Sequence, residues 1–175
     1  DFLIPVDPSA SAVETAPLLC AGMIGFRSLR RAEAGPGKRV GLFGFGASAR
    51  LIMPVLQYWG CEVYVATRGS RHQEDAKKLG ATWVDDAFAT PPEALDSAVT
   101  FAPVGSVVLA ALKSLDKGGI LAINAIHLDR MPAFDYDSLL WKEREIRSVA
   151  NMTRQDAKDF LQIASEIHIA PVTKT

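Results

Sequence analysis

Six consecutive residues carry the clearest chemical signal in this 175-residue chain: Gly44-Phe45-Gly46-Ala47-Ser48-Ala49, a G-x-G-x-x-A run that directly follows the short apolar stretch Arg39-Val40-Gly41-Leu42-Phe43. In this pattern the first glycine (Gly44) allows a tight turn and the second (Gly46) lets a pyrophosphate approach the backbone. The small third residue (Ala49) lets a helix lie close to the strand. A helix starting there offers free N–H groups and a partial positive charge to an anion. The same glycines would also serve a ligand-free strand-to-helix turn, so the motif takes its meaning from what surrounds it.

The next apolar run, residues 62–66, leads into Thr67-Arg68-Gly69-Ser70-Arg71. This is about 20 residues past the glycines, where an NAD site places Asp or Glu on the adenosine ribose 2′-hydroxyl. No acid is present. Thr67 can donate a hydrogen bond to a 2′-phosphate, and Arg68 and Arg71 can pair with its charge, so the sequence favours NADP(H) over NAD(H). A solvated turn opening a basic helix would read the same way. However, cations at a helix N-terminus oppose its dipole unless an anion lies between them. His72, next in line, reads as a surface histidine.

The elements that must position these residues alternate. Helical patterning covers 11–31, with Ser9 or Ser11 as the N-cap, and Gly22 and Gly25 mark a break or a close backbone contact. A strand at 39–43, a helix at 47–59 that Pro54 should kink, a strand at 62–66, a helix at 71–79 and a strand at 82–84 make the first half. Strands at 98–101, 120–124 and 145–149 follow, with helices at 105–115, 136–141 and 154–166. Gly118-Gly119 is expected to turn the chain into the fifth strand, and Phe160, Leu161 and Ile163 to face the core. This predicts an α/β fold: a doubly wound, six-stranded parallel sheet in order 3-2-1-4-5-6 with helices on both faces. Residues 1–33 form a lead-in, 34–168 the nucleotide-binding domain and 169–175 a departing tail.

Composition sets the outer limits. Hydrophobic residues make up 49% and charged residues 22%, with a net charge of −1, so neither disorder nor a field for nucleic acid or anionic lipid is indicated. No run is long enough to span a bilayer, and the start lacks a signal peptide's basic region, which together predict a cytoplasmic protein with no membrane partner. Two cysteines are too few for a disulfide framework. Taken by spacing alone, both Cys20 and Cys61 read as buried structural thiols.

Several segments in order change that picture: Ala16-Pro17-Leu18-Leu19-Cys20-Ala21-Gly22, Gly35-Pro36-Gly37, the glycine fingerprint, Lys78-Leu79-Gly80-Ala81, and Arg147-Ser148-Val149-Ala150-Asn151-Met152-Thr153-Arg154. Together they resemble the coenzyme-binding domain of zinc-dependent medium-chain alcohol dehydrogenases over nearly the whole chain. The resemblance implies hydride transfer between NADP(H) and an alcohol/aldehyde pair. It also implies a role for Cys20 as one of three protein ligands to a catalytic zinc, with the other two in an N-terminal catalytic domain. His72, His127 and His168 fall in the wrong segments to replace them. The expectation is therefore a truncated cofactor domain without turnover alone. Cofactor contacts are expected at Gly44, Gly46, Ala47, Ser48, Ala49, Thr67, Arg68 and Arg71. At the nicotinamide end they are expected at Ala102, Pro103 and Val104, at Ala125 and Ile126, and at Val149, Ala150 and Asn151. The sixth strand's free edge is a candidate homodimer contact.

Other readings fit less well. A short-chain dehydrogenase needs Tyr-x-x-x-Lys, but Tyr58, Tyr64 and Tyr136 are followed four positions later by Glu62, Arg68 and Leu140. A methyltransferase wants an acid where Thr67-Arg68 stand, and no Gly-Lys-Ser/Thr makes a P-loop. A non-catalytic dinucleotide-binding or sensor module remains the alternative from a different class.

Overall fold

The computed structural model describes Ile4 and residues 10–171. The candidate cap Ser9, the lead-in prolines Pro5 and Pro8, and residues 172–175 of the expected tail lie outside the described residues. The elements run in chain order: α1 (Ala12–Pro17), a π-helical turn (Leu18–Gly22), α2 (Met23–Arg31), β1 (Arg39–Phe43), α3 (Ala47–Tyr58), β2 (Glu62–Ala66), α4 (Ser70–Lys78) and β3 (Trp83–Asp85). The second half contains β4 (Leu95–Thr100), α5 (Gly105–Lys113), β5 (Leu115–Ile123), α6 (Tyr136–Leu139), β6 (Glu145–Ser148) and α7 (Arg154–Glu166). All strand pairings are parallel, in the order β3-β2-β1-β4-β5-β6. This is the expected doubly wound sheet.

Period-two alternation explains how both faces are covered. Val40, Leu42, Val63, Val65 and Val99 bury against Phe26, Leu29, Ile52, Leu56 and Phe160 on one side. Phe43, Tyr64, Ala66, Ala98 and Leu121 bury against Val108, Ala111 and Leu112 of α5 on the other. In α7, Phe160 is fully buried, whereas Leu161 and Ile163 pack at the margin of the core.

Of the two readings of Gly22 and Gly25, the close contact holds, because residues 12–31 stay helical without a break. A Cβ at Gly22 would lie 2.5 Å from the Phe160 ring, and one at Gly25 would lie 2.7 Å from Ile52. Ser11 does precede α1, but its side chain makes no capping bond. Gly118-Gly119 is not a turn ahead of the fifth strand: both glycines lie within β5, where the register with β4 shifts between the Leu95–Leu115 and Ser97–Ile120 pairs. Gly118, at φ +68°, supplies the left-handed residue of that irregularity.

No helix among the described residues is long and apolar enough to cross a membrane.

Candidate functional site

The glycine run is the hinge between β1 and α3. Gly44 has φ +95°, and a Cβ there would come within 3.1 Å of the Ala102 backbone nitrogen. A side chain would thus be strained by the backbone angle and crowded by the chain crossing from β4. Gly46 precedes α3, and the space a Cβ would occupy is open for 4 Å around. Ala49 is fully buried, as close helix–strand packing requires. The first turn of α3 holds no acidic residue, so no carboxylate of the helix itself competes with an anion for its N–H groups. By contrast, the N-terminus of α5 is already engaged, because the Gly105 N–H donates to the Asp129 carboxylate at 2.5 Å.

Thr67 is buried, and its Oγ1 accepts the Phe45 N–H at 3.2 Å, tying the glycine turn to the end of β2. A hydroxyl that accepts this bond still keeps its own proton for donation. The Thr67 carbonyl in turn accepts from Gln73 Nε2 at 3.1 Å, which fixes the start of α4. Arg68 is exposed beside this junction, and α4 opens with no acid in its first turn.

Three clefts follow the C-terminal ends of the strands. The first, about 200 Å³, is lined by Gly44, Phe45, Gly46, Thr67, Arg68, His72, Ala87, Ala102, Val104 and Val107, with no carboxylate. The second, about 220 Å³, lies over Gly44, Gly46, Ala47 and Ser48, with Phe101 and Asn124 opposite. The third, about 610 Å³, is bordered by Cys20, Ser48, Pro103, Ala125, Ile126, Val149, Ala150 and Asn151, along with Asn124 and His127. Gly44 and Gly46 are common to the first two clefts, and Ser48, Phe101 and Asn124 to the last two, so the three form one track.

Most of the residues singled out from sequence meet on this track, with three differences in placement. Ala49, expected as a cofactor contact, is fully buried and lines none of the three clefts, so its part is packing. Ala102 and Val104 line the first cleft rather than the third, because the loop after β4 passes beside Gly44 before Val104 opens α5. Arg71 is exposed on α4 and is not among the residues lining the first cleft, where His72 stands instead. Sequence reasoning passed over Asn124, although its position just past the fifth strand was the signal that could have found it. Phe45 and Phe101 carried no such signal.

The third cleft has a braced wall. Asp156, fully buried near the start of α7, accepts the Thr153 N–H at 2.7 Å and the Thr153 hydroxyl at 2.6 Å, while its own N–H donates to Thr153 Oγ1 at 3.1 Å. Arg30 of α2 donates to the same carboxylate at 3.0 Å, and Arg27 stands 3.5 Å away. Burial pushes this carboxyl up, but the Thr153 bonds, Arg30 and the Arg27 charge outweigh it and hold the group below the usual carboxylate range. The capping box thereby anchors the segment after β6, which borders the cleft, to the helix that follows Cys20.

Cys20 is exposed on the π-helical turn. Among the described residues, no group of three His, Cys, Asp or Glu side chains gathers to hold a metal ion; one thiol does not make a zinc site. Cys61, half-buried, donates from Sγ to the Gly35 carbonyl at 3.1 Å, and burial pushes its thiol up, in keeping with a structural role.

No family model matches the chain. Individual proteins do. The chain is 51% identical over 160 residues to the probable alcohol dehydrogenase AdhA of Mycobacterium tuberculosis, an alignment covering 91% of this chain and 46% of that protein. Over 80 residues it is 39% identical to NADP-dependent alcohol dehydrogenase 6 of Saccharomyces cerevisiae, covering 46% of this chain and 22% of that one. Among solved structures, CAD from Helicobacter pylori complexed with NADP(H) matches with a TM-score of 0.83 at 24% identity, over 97% of this chain and 49% of that one, a likeness of fold. The chain spans about half the length of the curated relatives that it matches along most of its own length. By sequence the chain is related to alcohol dehydrogenases, of which it matches about half the length, and its doubly wound parallel sheet has the fold of about half of the solved chain it resembles.

Proposed function

We propose that this chain binds NADP(H) for a zinc-dependent alcohol dehydrogenase acting on an alcohol/aldehyde pair. The observation that carries the cofactor choice is the first cleft, lined by Gly44, Gly46, Thr67 and Arg68 with no carboxylate. A carboxylate there would repel a 2′-phosphate; an arginine attracts it.

The dinucleotide lies along the three clefts. Its 2′-phosphate meets Arg68, with His72 beside it and Arg71 within the same basic turn. Its pyrophosphate rests over Gly46, Ala47 and Ser48 on the free N–H groups of α3. Its nicotinamide reaches the third cleft, between Pro103, Ala125, Ile126 and the segment 149–151. When bound, the cofactor supplies or accepts the hydride; this chain's residues hold and orient it. Cys20, at the border of that cleft, would contribute one thiolate to a zinc whose remaining ligands lie outside the described residues.

The free edge of β6 is the proposed contact for a second copy, and the two unpaired cysteines suit a reducing, cytoplasmic setting.

The test is equilibrium titration of the purified chain with NADPH and NADH. Tighter binding of NADPH is expected, with the preference lost in Arg68→Ala. Equal affinities in the wild type would refute the assignment.

A further inference from the structure

The guanidinium of Arg68 has a support. Its central carbon lies over the ring of Phe88, 5.5 Å from the centroid. Phe88 comes from the turn after β3, and that turn is set by its own carboxylates. Asp85 accepts the Asp86 N–H at 2.7 Å, and Asp86 accepts the Phe88 N–H at 3.1 Å. Neither acid lines the first cleft. Between them and the ring, Ala87 is buried and forms part of that cleft's wall. Phe88 itself is 46% exposed, a large apolar side chain kept at the surface.

Resting on the NADP(H) reading above, we infer that Phe88 is a specificity-determining residue that acts by positioning Arg68. An arginine on an exposed turn gives up rotamer freedom when it pairs with a phosphate. One already held over an aromatic face has less to lose, and its N–H donors at the guanidinium edge remain available. The support matters only to a ligand that uses the guanidinium, so it favours the 2′-phosphorylated cofactor and leaves the unphosphorylated one unaffected.

The chain is titrated with NADPH, NADH, 2′-phospho-AMP and AMP at fixed ionic strength, as wild type, Phe88→Leu and Phe88→Tyr. Leucine keeps apolar bulk without an aromatic face, and thermal midpoints verify that each variant is folded. Phe88→Leu is expected to weaken NADPH and 2′-phospho-AMP about two- to fivefold while leaving NADH and AMP unchanged. Phe88→Tyr should retain the wild-type preference. In an Arg68→Ala background, Phe88→Leu should have no further effect. A wild-type preference that persists undiminished in Phe88→Leu overturns this inference alone, as does equal weakening of all four ligands. A wild type without any preference overturns the cofactor reading and this inference with it.

Discussion

Replacing Asp156 with alanine tests whether α7 is fastened to α2 by a buried charge. The substitution removes the acceptor for Thr153 N–H, Thr153 Oγ1–H and Arg30. Loss of the capping interaction costs about 1 kcal/mol. The pairs to Arg27 and Arg30 are discounted because those side chains remain 28% and 38% exposed and regain water, leaving about 1 kcal/mol from them. The vacated carboxyl volume adds a fraction more, for a total of about 2–3 kcal/mol. In a chain of this size that corresponds to a fall in Tm of about 5–10 °C, read by circular dichroism or calorimetry. The effect should also depend on pH with a definite sign. The folded carboxyl sits below its ordinary range, so the unfolded chain takes up protons first. The stabilisation is complete above the unfolded pKa and declines from about pH 5 downward. The gap between wild type and Asp156→Ala should therefore be constant near neutrality and close in acid. A Tm loss under about 1 °C at neutral pH, or a gap that widens on acidification, would refute the reasoning.

Gly44→Ala places a Cβ at φ +95° and 3.1 Å from the Ala102 nitrogen; it should cost about 1–3 kcal/mol of stability and abolish measurable NADPH binding, as followed by nicotinamide fluorescence. Gly22→Ala puts a methyl 2.5 Å from the Phe160 ring and should destabilise by about 1–3 kcal/mol in a denaturant titration, with partial recovery in a Phe160→Leu background. Alkylation of Cys20 by iodoacetamide, tracked by peptide mass, should slow when NADPH is present; an unchanged rate would place the nicotinamide elsewhere. Sedimentation at rising protein concentration should reveal association through β6, and a monomer throughout would count against that contact.

The fold was legible in the sequence wherever an element declared itself by its own residues. Arg39–Phe43 and Glu62–Ala66 are compact apolar runs bounded by glycine or polar turns, and both occupy the expected positions. The start of β5 was hidden because Gly118-Gly119 looks like punctuation, while the register shift that keeps them in the strand is imposed by β4. The candidate site divides the same way. Gly44, Gly46 and Ala49 announce themselves by spacing. Phe88 does not: its relation to Arg68 depends on β2 and β3 being neighbours, so no local pattern contains it. The bond from the Phe45 N–H to Thr67 is equally non-local.

The π-helical turn at Leu18–Gly22 makes the length of this stretch a rotary setting. A π turn accommodates one residue more than an ordinary helical turn. Deleting a single residue between Cys20 and Met23 would let the helix close into regular winding and turn the thiol relative to α2, while α2 stayed seated on the sheet. A change of composition in this segment alters which atom faces the cleft; a change of length alters where every atom faces. Insertions and deletions here should therefore be far less tolerated than substitutions.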